Sequence, residues 1–389
     1  MGSLPRNWPC CGVCASKLVK NGKTSAGRTR WRCRACGAST TQHRRDVSDR
    51  ATMLAFHSWL LGKDSQREIT GGTGRTFRAK TDWCWQIDVP QPSITGEIYR
   101  QVAVDGTYFH HWCLLIAFNS KHVIAWQWCD RESKASWSAL LSRIPAPDVV
   151  VTDGGTGLRA ALDDHWKRTH IQRCYFHIFQ TVTRHTTRRP RLQAGQEILA
   201  LTHDLMRVHD LDSAATWMGD YATWETHWSS FLKERTWNRP GIDRPQGVKA
   251  NQTWWYKHQE LRRVQGLYRR LIADKSLFTW LTQSHHTPPE IARTTSPLEG
   301  GINAGIKDLL RRHRGMTTDH ARRAVEWHLN TLTEFPKDPW ELAKHHLANP
   351  APEASPKPKA TPLGPETYGT GLTAEEGLWT RKGWAGRSH

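Results

Sequence analysis

Val102-Ala103-Val104-Asp105-Gly106-Thr107 and Val149-Val150-Val151-Thr152-Asp153-Gly154-Gly155 are two apolar, β-branched runs, and each closes on Asp-Gly. Such a run reads as a buried strand that delivers its carboxylate to the rim of a sheet. A third segment, Thr294-Thr295-Ser296-Pro297-Leu298-Glu299-Gly300, sets a glutamate on a later helix. Two strand-end aspartates and a helical glutamate can hold two hard divalent cations through oxygen ligands. Two cations about 4 Å apart clamp the attacking and leaving oxygens of a phosphodiester displacement.

Outward from these runs, Tyr99 to Val104, Trp112 to Phe118 and Val123 to Trp128 read as successive antiparallel strands. A helix is expected from Ser133 to Ile144, the strand Val149 to Thr152 follows, then a helix from Gly157 to Trp166 and a short strand from Ile171 to Cys174. The continuous apolar character of Val149 to Val151 puts that strand in the sheet interior. This order predicts an α/β fold with an RNase H-like mixed sheet, its first part over residues 98–179. Residues 180–290 break the alternation with helical spacing at Ile198, Leu199, Leu201, Leu205 and Met206 and a Trp-rich stretch from Trp217 to Trp237, which predicts an all-helical insertion. Residues 291–340 return to the core as basic helices that carry Glu299. Residues 341–389 include Asn349-Pro350-Ala351-Pro352 and Pro356-Lys357-Pro358-Lys359 and are expected to be a disordered tail.

The N-terminal part is built differently. Cys11-Gly12-Val13-Cys14 and Cys33-Arg34-Ala35-Cys36 have the paired spacing of a four-thiolate zinc ribbon, assigned to residues 1–46. The doublet spacing favours Cys11 over its neighbour Cys10 as the first ligand. Residues 47–90 read as short basic helices. Met53, Leu54, Phe56, Trp59, Leu60 and Leu61 form an amphipathic run that stops at Gly62, Ser65 and Glu68 stand as a capping box, and Thr73-Gly74-Arg75-Thr76-Phe77-Arg78 opens a third helix. That sequence suggests a helix-turn-helix-like module, with Arg75, Arg78 and Lys80 as DNA-binding candidates.

The chain has 389 residues, a net charge of +19 and 21 Trp. The field favours a polyanionic partner. No apolar run reaches the ~20 residues of a membrane span, and the N-terminus lacks the apolar core of a signal peptide. The paired cysteines suggest a reducing compartment, so a cytoplasmic location is expected.

Each acid also has a plain structural explanation. Asp105 could begin an Asp-Gly turn, Asp153 could cap the following helix, and Glu299 could complete a capping box with Ser296. Jointly these do not explain two adjacent-strand carboxylates in a basic chain that begins with a zinc ribbon.

The pattern resembles the DDE transposases of bacterial insertion sequences, most closely the mutator-like group. The resemblance covers the three acidic segments, Cys174-Tyr175-Phe176-His177 as a Cys-x-x-His element, Arg293 to Glu299, and Arg311-Arg312-His313-Arg314-Gly315-Met316, within roughly residues 8–335. One departure is Gly300, Gly301 and Gly305, where an Arg- and Asn-rich run is more usual. The resemblance implies Asp105, Asp153 and Glu299 as catalytic ligands of two Mg²⁺ ions, with Mn²⁺ as a substitute, and a supporting role for Cys174 and His177. It also implies cleavage and strand transfer at terminal inverted repeats, with double-stranded element ends and target DNA as partners, and at least a homodimer. Arg311, Arg312, Arg314 and His313 are expected to form a phosphate-binding face. Two alternatives from other classes are a DNA-binding regulator derived from a transposase and a structure-selective nuclease of the same fold.

Overall fold

The computed structural model describes residues 9–348 apart from 12, 26, 42–44, 71–73, 94, 110–111, 246 and 284–290. Thr73 and the expected tail beyond residue 348 lie outside the described residues. Strands β1 (Leu18–Lys23), β2 (Thr29–Cys33) and β3 (Ser39–Thr40) form a small antiparallel sheet in that order. Helices α1 (Arg45–Leu61), α2 (Gln66–Thr70) and α3 (Arg75–Thr81) follow, then a single 3₁₀ segment, Asp82–Gln86. The capping box before α2 forms as expected: the Glu68 carboxylate accepts from Ser65 N–H at 2.6 Å, and Ser65 Oγ accepts from Glu68 N–H at 3.3 Å.

The central sheet holds β4 (Gln101–Phe109), β5 (Trp112–Phe118), β6 (Val123–Cys129), β7 (Val149–Thr152) and β8 (His170–Arg173), in the order β6-β5-β4-β7-β8. β5 runs antiparallel to both of its neighbours, β4 and β6; β7 runs parallel to β4, and β8 parallel to β7. β4, β6, β7 and β8 therefore point the same way, and their C-terminal ends share one edge. Helices α4 (Lys134–Leu141), α5 (Thr156–His165) and α6 (Tyr175–Thr186) make the connections. One expectation is corrected here. β4 does not stop before Asp105; its pairing with β5 continues to Phe109↔Trp112, so Asp105 and Gly106 lie within the strand.

The sheet is covered on both faces. Val102, Val104, Leu115, Ala117 and Val150 pack against Trp137, Leu140, Leu158 and Leu162 of α4 and α5. Ala103, Ile116 and Val151 pack against Leu298, Ile302, Ile306 and Val325 from the C-terminal helices. This two-sided burial explains why Val149, Val150 and Val151 are all apolar.

The insertion carries α7 (Gln193–Leu205), α8 (Leu211–His227), α9 (Ser229–Leu232), α10 (Gln259–Ala273) and α11 (Thr279–Thr282). It is not all-helical. Arg235–Trp237 (β9) pairs antiparallel with Trp254–Tyr256 (β10), and Arg235 lies 4.0 Å over the Trp254 ring. Trp254, Trp255 and Tyr256, paired with Trp237, Thr236 and Arg235, are strand-favouring residues whose cross-strand contacts favour this ladder over continuation of the helix. α6 runs across the expected boundary at 179/180 and buries Tyr175, Ile178 and Val182 in the insertion's core with Trp217, Tyr221 and Tyr268. The segment after α10 covers the β8 edge: Arg173 N–H donates to Ser276 O, and Thr279 Oγ1 donates to Ile171 O.

The C-terminal part begins with a π-helix, Pro297–Asn303, then α12 (Ala304–Arg312), α13 (Thr318–Thr331) and α14 (Pro339–Ala348). The expected start of a tail at 341 is corrected by α14, whose Ala343 is buried with Met53, Phe56 and Trp327. The N-terminal helices and the C-terminal helices thus share one core.

Candidate active site

The two aspartates are brought together by register, and the helix carrying Glu299 packs on the same face of the sheet. Ala103 pairs with Val151 across the parallel β4–β7 ladder. Two residues further along each strand lie Asp105 and Asp153. Neighbouring strands stand about 4.8 Å apart, so the two aspartates emerge side by side where β7 ends. Beyond Asp153 the chain turns through Gly154 at φ +80°, and Asp153 Oδ1 accepts from Gly155 N–H at 3.0 Å.

Asp105 is only 8 % exposed and accepts from Asn303 Nδ2 at 2.8 Å. Burial, the Glu299 charge and further Asp153 and Glu132 charges push its carboxyl up to about 7, against the pull of His177. No Asp-Gly turn exists at this position. The cap reading of Glu299 also fails. Ser296 makes no side-chain cap bond, and the Glu299 carboxylate instead accepts from Thr295 Oγ1 at 2.6 Å. Asp153 likewise is not the α5 cap residue, which is Gly155. The π-helix holds Glu299, Gly300, Gly301 and Asn303 in one wide turn. Each Gly costs about 1 kcal/mol of ordinary helix preference relative to Ala, and such wide turns recur at functional sites.

Cys174 and His177 stand directly behind Glu299. The ligand atoms of all three lie within 4.8 Å of one another. His177 Nδ1 is 3.5 Å from Glu299 Oε1, yet it is buried without a hydrogen-bond partner in this arrangement. Thr295 N–H donates to Cys174 Sγ at 3.3 Å. Burial alone would raise the Cys174 thiol, but hydrogen bonds from His177 and Thr295 outweigh it and hold it below the ordinary thiol range. The Cys174 bond in turn raises His177 to about 9 against the effect of burial, helped by the Cys174 and Glu299 charges. His177 is therefore a cation at neutral pH, placed against an acidic cluster.

Several residues of this site carried no sequence signal: Asn303, Thr295, Arg173 and Glu132. Arg173 ends β8 beside Asp153, and its guanidinium fills the space a Cβ on Gly154 would need. Burial lowers its pKa, the Asp153 charge opposes that, and its Nε has no partner. The Asp-Gly doublet was readable, but not that its glycine makes room for an arginine from the next strand.

The four thiols of Cys11, Cys14, Cys33 and Cys36 also lie within 4.8 Å of one another, with Cys11–Cys36 at 3.5 Å and Cys14–Cys33 at 3.4 Å. A tetrahedral ion with Zn–S of ~2.3 Å needs sulfurs about 3.8 Å apart, so the group can hold zinc. Cys10 lies outside it. Hydrogen bonds from Ser16, with help from Cys33 and Cys36, hold the Cys14 thiol down at about 6.

The proposed DNA contacts divide. Arg75, Arg78 and Lys80 project from the exposed side of α3, although Arg78 also donates to Gln66 Oε1. Arg311 and Arg314 are exposed. Arg312 is exposed as well, but it and the half-buried His313 also turn toward α1. Arg312 donates to the Leu61 and Gly62 carbonyls, and His313 Nε2 meets Leu60 O at 2.7 Å. Both satisfy the last turn of α1, whose carbonyls have no partner within the helix.

Residues 114–237 match the family model described as Transposase, Mutator family. Over that stretch the chain is similar to the mutator-family transposases. The matched stretch is about a third of the chain and takes in Asp153, Cys174 and His177, but not Asp105, Glu299 or the four clustered cysteines. No curated protein matches the chain. Among the described residues no helix is long and apolar enough to cross a membrane.

Proposed function

We propose that the chain is a DDE-type DNA transposase that cuts and joins the ends of a mobile element, with an RNase H-like core around Asp105, Asp153 and Glu299. The observation that carries the reading is the convergence of these acids from β4, the end of β7 and the π-helix, with Asp105 raised to about 7 by burial and by its acidic neighbours. Carboxylates compressed in this way favour cations. The donor set is hard oxygen, which suits Mg²⁺ or Mn²⁺. The fit is further supported by Asn303, 4 % exposed, whose Oδ1 lacks a partner.

Asp105, Asp153 and Glu299 would hold two such ions. Bound there, they supply positive charge at the attacking and leaving oxygens and lower the pKa of an attacking water. The protein's own groups orient the ligands: Asn303 fixes Asp105, Gly155 N–H fixes Asp153, and Thr295 with His177 fixes Glu299. Hydrolysis at an element end leaves a 3′-hydroxyl, and that hydroxyl attacks a target phosphodiester. No covalent protein–DNA link forms. The zinc ribbon and the α1–α3 module, through Arg75, Arg78 and Lys80, would recognise the terminal repeats, and a dimer would hold two ends together.

The test is cleavage of DNA carrying the gene's own flanks, in Mg²⁺ and in chelator. Wild type should nick in Mg²⁺ only, and Glu299→Gln should bind the same DNA without nicking it. Equal nicking by both proteins would remove Glu299 from the site.

A further inference from the structure

Glu132 sits between β6 and α4, just before the α4 cap residue Ser133. β6 runs in the same direction as β4 and β7, so its C-terminal end opens on the same edge as Asp105 and Asp153. Two glycines admit Glu132 there. A Cβ on Gly106, the residue after Asp105, would lie 2.5 Å from the Glu132 carboxyl carbon. A Cβ on Gly157, in the first turn of α5, would lie 2.5 Å from the Glu132 carbonyl oxygen. The residue is thus held from both sides, with its carboxylate over the β4 backbone next to Asp105. Tyr108 adds a third hold, its hydroxyl accepting from Glu132 N–H at 3.4 Å.

Among the described residues no ion pair reaches Glu132. Burial first, then the Asp153 charge, raise its carboxyl above the ordinary range, with His177 and Tyr108 opposing. Asp105 feels Glu299 most among the charges, whereas Glu132 feels Asp153 most. The buried, unpartnered Oδ1 of Asn303 beside Asp105 is an independent sign that this edge is built to receive a ligand.

We propose that Glu132 is a fourth carboxylate ligand of the divalent-ion site, acting with Asp153 on the face of the sheet opposite Glu299. The proposal rests on the transposase reading of the site. Its logic is geometric: Asp105 and Gly106 face opposite sides of β4, so a carboxylate seated on Gly106 supplies the side that Asp105 and Glu299 leave open.

The experiment is Mn²⁺ titration of the full-length, zinc-loaded protein by calorimetry and electron paramagnetic resonance, for wild type, Asp105→Asn, Glu132→Gln and Gly106→Ala, each with a melting curve to verify folding. Glu132→Gln should keep its melting temperature and lose at least tenfold in Mn²⁺ affinity at one site. Gly106→Ala alters no ligand but displaces the Glu132 carboxylate, and should lose affinity in the same direction. If Asp105→Asn abolishes binding while Glu132→Gln binds as wild type does, the Glu132 assignment is overturned and the three-acid site stands. If wild type binds no Mn²⁺, the transposase reading of the site fails, and this inference with it.

Discussion

Asp105 is an acid that the fold holds at a disadvantage. Its pKa of about 7 lies above the ordinary 3.8, so the folded chain binds that proton more tightly than the unfolded chain. The resulting stabilisation is full below pH 3.8 and is lost as pH rises through about 7. Metal-free protein should therefore melt at lower temperature at pH 8 than at pH 5.5, and Asp105→Asn should flatten that slope. At pH 8 the variant should melt several degrees above wild type, since about 1 kcal/mol moves Tm by ~2–4 °C in a domain of this size. A variant that melts at or below wild type at pH 8 would contradict the account. His177 offers a second check. Cys174→Ser removes the main group that raises it, so its ring should titrate well below the wild-type value of about 9, as followed by NMR. At this scale the sequence was readable where chemistry and backbone coincide, as at Asp105 and Asp153. It was silent where a role depends on tertiary contact. Arg312 and His313 sit in a basic run, yet their partners are carbonyls about 250 residues away in sequence.

Among the elements, the strands were the most legible, because β-branched and apolar runs with turn residues at their ends mark them directly. The end of β4 was misread because Asp-Gly is a strong turn signal, and only cross-strand pairing with β5 overrides it. The π-helix had no period that a helical pattern could reveal, and the β9–β10 hairpin was hidden in a tryptophan-rich stretch that fits either geometry. α13 makes a more local claim. Glu326 is buried and bonds to Arg323 at 2.9 Å and to Trp128 Nε1 at 3.1 Å, tying α13 to the outer strand β6. Burial raises its pKa, and its removal would leave the Trp128 indole N–H without its acceptor and Arg323 with Asp88 alone. Glu326→Ala should lower stability by about 3 kcal/mol, measured by urea denaturation. A loss within experimental error would show that the ion pairs do no more than offset the cost of burying the charge.

For the whole molecule, the succession of strands and helices in the core and the Cys cluster could be anticipated from periodicity and spacing, while the packing of the N-terminal helices on α13 and α14 could not, since no local pattern specifies a contact across the chain. That packing gives the α1–α3 module a core shared with the C-terminal helices, but the three-stranded sheet before it has little: Cys11, Leu18 and Cys33 with Trp31 and Ala38 around them. A unit so small would depend on a metal held by its four thiols. Chelation of zinc should release amide protection over residues 9–41 and leave the central strands protected in hydrogen exchange. Uniform protection after chelation would mean that the ribbon folds without zinc.

The central claim is that Asp105, Asp153 and Glu299 form one divalent-ion site for phosphodiester chemistry. The most direct measurement is strand transfer: a labelled oligonucleotide ending in the element's 3′-hydroxyl, a supercoiled target plasmid, and Mg²⁺, with wild type and Asp153→Asn compared at equal DNA occupancy. The account predicts that wild type joins the label to the target and that Asp153→Asn binds the end but yields no joined product. Joining by Asp153→Asn at the wild-type rate would contradict it.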